Sequence, residues 1–159
     1  MAGGTQQDIT NQTVIPYGAV LTALACAAPE RVALACDGPA GSVQLTRAEL
    51  EAWANRLARA YADLGLCCGD FATIALPNGP EFFAASLAIW KLGAVPNPVS
   101  HRLPAPERAA IIARANPVLV IGVAAGSYAG RCCIPADLAV DEYSPDPLPA
   151  ETSPHERAM

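Results

Sequence analysis

Apolar residues recur at intervals of three and four after Thr46: Leu50, Trp53, Ala54, Leu57, Ala58, Tyr61 and Leu64 share one side of a helix, and Arg47, Glu51, Arg56, Arg59 and Asp63 fall elsewhere. Thr46 followed three residues later by Glu49 is a capping box, in which each side chain satisfies a backbone N–H of the other residue. Gly65 is a natural stop, so the spacing predicts a helix of roughly 28 Å by its rise.

The period then changes. Phe71 to Leu76 is a short apolar run with β-branched Thr73 and Ile74, the length of a buried parallel strand. Pro77, Asn78 and Gly79 end it. Pro80 suits a first helical position, Glu81 the positive helix end and Lys91 the negative end, while Phe83, Leu87 and Trp90 recur at helical spacing up to Gly93. Ala94 to Val99 is a second strand, placed at an edge by Pro96 and Pro98. A strand, helix, strand unit of this length is a parallel crossover.

The flanking segments extend the scheme. Tyr17 to Ala28, with Pro16 at its start, reads as a helix burying Val20, Leu21 and Leu24. Arg31 to Cys36 and Ser42 to Leu45 read as a hairpin with a five-residue loop, residues 37–41. A helix is expected from Pro104 to Ala115 with Ile111 and Ile112 inward, then a strand from Val118 to Val123. Ala124 to Ile134 shows no pattern. The expected fold class is α/β: parallel-sheet βαβ layers with helices on both faces plus an N-terminal hairpin. Residues 1–13 read as a flexible leader and 14–135 as the folded part. Residues 136–159, holding Pro145, Pro147, Pro149 and Pro154 among acids, read as a tail without packed structure.

Charge changes this picture little. The net charge of −5 arises wholly in residues 137–159, and the preceding chain balances nine acids against nine bases. With no basic patch and a single lysine, Lys91, nucleic-acid binding is not expected. No apolar run approaches the ~18 residues of a membrane span, and the N-terminus has no secretory pattern, so a cytoplasmic protein is expected. The cysteines (Cys26, Cys36, Cys67, Cys68, Cys132, Cys133) include no CxxC pair, and His101 and His155 are distant in sequence, so no metal site is expected.

Candidate chemistry is sparse. Pro77-Asn78-Gly79-Pro80 lies between strand and helix, where a phosphate cradle would lie, but Pro80 removes a donor, so it reads as a turn. Gly122 to Gly126 lacks the spacing of a dinucleotide fingerprint and the ending of a P-loop, and reads as a loop. His101 beside Arg102 is the one histidine of the folded part. Ser86 and Ser100 have no histidine and carboxylate in a recognisable arrangement, and Trp53, Tyr61 and Trp90 read as core. No catalytic, cofactor-binding or metal-ligating residue is assigned.

Two stretches carry a family likeness: VQLTRAELEAWANRLARAYADLG, and CCGDFATIALPNGPEFFAASLAIWKLGAVPNPVSHRLPAPE. Together they resemble the N-terminal part of AMP-forming acyl-CoA synthetases, of the fatty-acid-CoA and bile-acid-CoA ligase type, in the adenylate-forming superfamily. LTRAEL (Leu45 to Leu50) is similar to that family's first core motif and WKLGAVPNPVSHRL (Trp90 to Leu103) to its second, with Gly69-Asp70 and Pro77-Asn78-Gly79 between them. The resemblance spans about Tyr17 to Val123 and makes residues 14–135 a partial AMP-binding N-terminal subdomain. It implies ATP-dependent activation of a carboxylic acid to an acyl-adenylate and transfer to coenzyme A, with Mg2+ assisting, by the full-length enzyme.

The family's Ser/Thr/Gly-rich phosphate loop would be expected just beyond SPHERAM, where the sequence ends. The resemblance therefore implies an incomplete large domain, with no cofactor held by this chain and no activity from it alone. A complementary ligase fragment is the expected partner, and self-association through exposed apolar surface is expected. The alternative is a stand-alone interaction module on the ligase fold; a generic flavodoxin-like nucleotide binder is disfavoured by the lack of a glycine cradle.

Overall fold

Helix α2 (Arg47–Asp63) sets the frame, and its start is the expected capping box. The Thr46 N–H donates to Glu49 Oε2 at 2.8 Å, and the Glu49 N–H donates to Thr46 Oγ1 at 3.2 Å. It ends in a Schellman turn: Gly65 N–H donates to Ala62 O and Leu66 N–H to Tyr61 O, with Gly65 at φ 94°. The computed structural model describes residues 17–38 and 41–149. The expected leader, Pro16, the hairpin tip Pro39-Ala40 and residues 150–159, His155 included, lie outside the described residues.

Around α2 stand α1 (Tyr17–Ala27), β1 (Val32–Gly38), β2 (Gly41–Thr46), β3 (Phe71–Ile74), α3 (Pro80–Lys91), β4 (Val95–Pro98), α4 (Ala105–Ala115), β5 (Leu119–Ile121) and β6 (Cys132–Ile134). The last four of these strands, β3 to β6, form one parallel sheet in the order β4-β3-β5-β6. β4 lies at an edge, where its two prolines forfeit no shared ladder bonds on the outer side. Alternation puts Ala72, Ile74, Leu119, Ile121 and Ile134 in the main core with α1, α2 and α3, and puts Val120 and Cys133 against Ile112 of α4. The architecture is thus α/β with helices on both faces of a parallel sheet.

Several expectations about burial are corrected. The interface between α2 and α3 is made of alanines: Ala54, Ala58, Ala84 and Ala88 are fully buried and Ala85 nearly so. Small side chains let the two helices approach closely, which turns the bulky stripe of α3 outward. Phe83 is 42% and Trp90 36% exposed, so Trp90 is not core. It stacks instead on Tyr17, with ring centroids 5.2 Å apart. α1 meets α3 through Gly18, whose absent Cβ would lie 2.8 Å from Lys91 Cα. Hence Gly18, Leu21 and Ala25 are buried, and Val20 and Leu24 are exposed. Ile111 and Leu64 also face outward, and Glu51, expected outside, is buried.

Three differences concern the backbone. The hairpin pairs Gly38 with Gly41, so Asp37, Gly38 and Gly41, expected in a five-residue loop, belong to the strands. β6 forms in the patternless Ala124 to Ile134 segment, because three residues beside a fully buried β5 suffice for a short strand. Residues 136–149, expected to be unpacked, instead lie along α2. Leu138, Val140, Tyr143 and Leu148 pack on the main core. Arg59 Nη1 donates to the carbonyls of Ser144 (2.9 Å) and Asp146 (2.8 Å), and Asn55 Nδ2 donates to Pro145 O at 2.8 Å. A proline-rich chain cannot join a ladder, but its free carbonyls can be fastened by side chains.

Candidate functional site at the carboxyl edge of the sheet

From β3 the chain crosses to β4 on one side and then returns to β5 on the other, so strand order reverses between β3 and β5. Open parallel sheets of this kind take ligands in the crevice outside the carboxyl ends at such a point. Here that edge is closed tightly by backbone. Ala75 N–H donates to Ile121 O at 2.8 Å, and Gly122 sits at φ 88° with its absent Cβ only 2.6 Å from Leu76 Cδ2 and 3.1 Å from the Ala75 carbonyl carbon. Gly122 is a packing glycine, and Gly126, at φ 77° with open space around it, turns the following loop. Neither faces a bound anion's position at a helix start.

The Pro77 to Pro80 segment is a turn into α3. Gly79 is the N-cap in extended conformation with no side-chain cap, and Pro80 follows as the first helical residue. Glu81 Oε2 lies 3.2 Å from where a Gly79 Cβ would be, so the chain's own carboxylate covers the positive end of α3. The Gly69-Asp70 motif is likewise architectural: Gly69 N–H donates to Gly93 O (3.0 Å), Val95 N–H donates to Asp70 O (2.8 Å), and Asp70 Oδ2 accepts from Cys67 N–H (2.8 Å).

Two clefts open at this edge. The smaller, ≈ 510 Å³, lies beyond β3 and β4 and is lined by Asn78, Phe82, Ser100, His101 and Arg102 among others. His101 and Arg102 are exposed, and the loop is held through its backbone: Arg108 Nη1 donates to His101 O (3.2 Å) and Arg108 Nε to Tyr128 Oη (2.9 Å). No carboxylate orients the His101 ring among the described residues. Ser100 Oγ accepts the Arg102 N–H at 3.3 Å, and Ser86 Oγ donates to Phe82 O inside its own helix at 2.8 Å. Neither serine has the partners of a nucleophile.

The larger cleft, ≈ 710 Å³, lies between α2, the ends of β3 and β5, the first turn of α3 and residues 136–141. Leu57, Leu76 and Ile121 form its apolar floor, Trp53 and Tyr61 a wall, and Glu81, Asp137 and Asp141 its rim. Burial pushes the Tyr61 phenol above its ordinary range.

One polar cluster was not visible in the sequence pattern. Lys91 Nζ donates to Glu51 Oε1 (2.8 Å) and Thr22 Oγ1 (2.9 Å), and Glu51 Oε1 also accepts from Thr22 Oγ1 (2.6 Å) and Asn55 Nδ2 (3.2 Å). It ties α1, α2 and α3 together behind the sheet. The available signal was a lone lysine following a run of buried alanines. All six cysteines are free thiols, and among the described residues no three of His, Cys, Asp and Glu come together as metal ligands. No described helix is long and apolar enough to cross a membrane.

A parallel α/β sheet with these turns at its carboxyl edge matches known proteins. The AMP-binding enzyme family model matches residues 22–156, and the chain belongs to that family. It is 34% identical over 134 residues (84% of this chain) to a dimodular nonribosomal peptide synthase of Bacillus subtilis, and 37% identical over 83 residues (52% of this chain) to the long-chain-fatty-acid–CoA ligase FadD13 of Mycobacterium tuberculosis. Among solved structures it resembles the N-terminal domain of Mycobacterium tuberculosis FACL13 (TM-score 0.74, 29% identity, 87% of this chain) and a fatty acyl CoA synthetase of the same organism (TM-score 0.72, 27% identity, 86% of this chain). The chain spans 5% and 16% of the two sequence relatives, and 39% and 30% of the two solved chains. The matched structures carry the same N-terminal subdomain architecture.

Proposed function

We propose that this chain supplies the N-terminal sheet and helical layers of an ATP-dependent, AMP-forming ligase that activates a fatty acid as its acyl-adenylate and passes the acyl group to coenzyme A. Membership of the AMP-binding enzyme family supports the adenylate-forming chemistry, and the likeness to FadD13 and to the fatty acyl CoA synthetase supports the acyl-CoA refinement. The longer match to a nonribosomal peptide synthase favours a second reading, in which the adenylate goes to an acceptor other than coenzyme A.

The observation that carries the reading is the form of the carboxyl edge. The strand order reverses between β3 and β5 as in a ligand-binding α/β domain, yet Glu81 covers the start of α3 and Leu76 fills the space beside Gly122. These residues offer walls without the donors that would steady a transferring phosphoryl group, and such electrostatic stabilisation is usually the largest part of catalysis. The chain alone is therefore inactive on this reading. Among the described residues no three of His, Cys, Asp and Glu come together as ligands for Mg2+. A complementary ligase segment is the partner, acting in the cytoplasm. The outward apolar side chains Tyr17, Phe83 and Trp90 are the surface through which the isolated chain self-associates.

The test is pyrophosphate release from ATP, Mg2+ and palmitate by the purified chain, alone and co-expressed with the part of FadD13 that follows the matched region. Background release alone and palmitoyl-CoA formation by the pair are expected. Amino-acid adenylation by the pair without a coenzyme A thioester would shift the assignment to the second reading. Turnover by the chain alone would overturn the scaffold role.

A further inference from the structure

We propose that the ≈ 710 Å³ cleft binds an apolar organic cation, an alkylammonium or arylalkylammonium, in preference to a carboxylate or phosphate. Its volume lies within the range of small-molecule sites, and its floor of Leu57, Leu76 and Ile121 suits a hydrocarbon body. Tyr61, only 2% exposed, faces this cleft and makes no hydrogen bond among the described residues. Its hydroxyl is not among the fully buried unpaired atoms, and a phenol oxygen open to a cleft can accept from an ammonium N–H. Trp53, half-buried in the wall, offers an indole face, the best aromatic partner for a cation.

The charge around the cleft has one sign. Glu81 enters from α3, and Asp137 and Asp141 enter from the segment that crosses the mouth. No Arg, Lys or His lines it among the described residues. Two cations of the adjoining helices are committed elsewhere, Arg59 to the carbonyls of Ser144 and Asp146 and Lys91 to Glu51, and Arg56 of α2 is not part of the lining. The neighbouring ≈ 510 Å³ cleft, with His101 and Arg102, has the opposite sign, so the two clefts separate ligands by charge. An apolar acid such as a fatty acid is disfavoured in the larger cleft, which sets this binding apart from the ligase reaction and makes it independent of that reading.

The test compares three probes with one body: 4-phenylbutylammonium, 4-phenylbutanol and 4-phenylbutyrate. Binding to the full chain is followed by calorimetry, and by tryptophan fluorescence in a Trp90→Phe variant, where only Trp53 reports. Saturable binding is expected, with the ammonium about tenfold tighter than the carboxylate at low salt and the gap narrowing at high salt. The rim residues Glu81 and Asp137 are exposed, so Glu81→Gln with Asp137→Asn keeps the fold; it should abolish the preference and leave the alcohol's affinity unchanged. Tyr61→Phe should weaken the ammonium severalfold. Equal or tighter binding of the carboxylate, no saturation with any probe, or a preference that survives the rim double variant would overturn the proposal.

Discussion

Replacing Lys91 by Met tests how the helical layer is held. Its Nζ lies 2.8 Å from Glu51 Oε1 and 2.9 Å from Thr22 Oγ1, and both members of the ion pair have side chains more than nine-tenths buried. Lys91→Met keeps the length of the stem and removes the charge. Glu51 is then a buried carboxylate whose Oε1 keeps Thr22 and Asn55 as donors, and whose Oε2 has no partner among the described residues. Breaking a buried pair from one side costs about 3–5 kcal/mol. The two remaining donors place this case at the lower end, about 3 kcal/mol, which for a chain of this size lowers Tm by roughly 10 °C. Glu51→Gln combined with Lys91→Met buries no charge and is expected within about 1 kcal/mol of the parent, since neutral replacement of buried pairs is often close to neutral. Urea unfolding followed by far-ultraviolet circular dichroism reads both, with the slope m unchanged. A single-variant loss below about 1 kcal/mol, or a double variant no better than the single, would refute the claim that the uncompensated Glu51 charge is what destabilises the Lys91→Met protein.

Gly122→Ala forces a Cβ to 2.6 Å from Leu76 Cδ2 at φ 88° and should cost about 2–4 kcal/mol, whereas Gly126→Ala at φ 77° in open space should cost about 1–2 kcal/mol; urea midpoints that rank the two equally would remove the packing role of Gly122. Arg59→Ala frees the carbonyls of Ser144 and Asp146, so protease cleavage within residues 138–149 should accelerate while α2 amides keep their protection from exchange, and unchanged cleavage would refute the fastening. Glu49 accepts from the Thr46 backbone N–H and hydroxyl, which holds its carboxyl below the usual 4.5. A lowered folded value means that this stabilisation is present above pH 4.5 and is lost as pH falls through the folded value. Thr46→Ala should move the Glu49 carboxyl titration, followed by NMR, part of the way back toward 4.5, since the backbone donor remains.

The elements were legible in the sequence where local chemistry decides. Thr46 with Glu49, Gly65, Pro80 with Glu81, and Gly93 mark ends through caps that need no tertiary partner, and all act as caps or stops in the structure. The paired prolines of β4 placed it correctly at an edge. Which face turns inward was less legible, because apolar size is a poor guide when helices meet through small residues. On α3 the alanines and Ile89 go in while Phe83 and Trp90 stay out, and on α1 Gly18 and Ala25 displace Val20 and Leu24. Glu51 was misplaced for the same reason: a charge among apolar neighbours reads as solvent-facing until Lys91, forty residues away in the chain, supplies its partner.

The clefts were illegible for a reason that composition conceals. The larger draws Trp53, Leu57 and Tyr61 from α2, Leu76 and Glu81 from either side of a turn, Ile121 from β5, and Asp137 and Asp141 from a segment with no periodicity. Trp53, Leu57 and Tyr61 share a helical stripe that reads as core, the other positions share no pattern, and the acids of that segment count in sequence as part of a solvated tail. Their charge acquires a location because residues 136–141 line the cleft, in a segment whose following carbonyls, at residues 144–146, are held by Asn55 and Arg59. Two of the three acids of the cleft thus lie on a segment fastened through neutral backbone acceptors, and loosening those acceptors should weaken cation selectivity without altering a single residue of the lining.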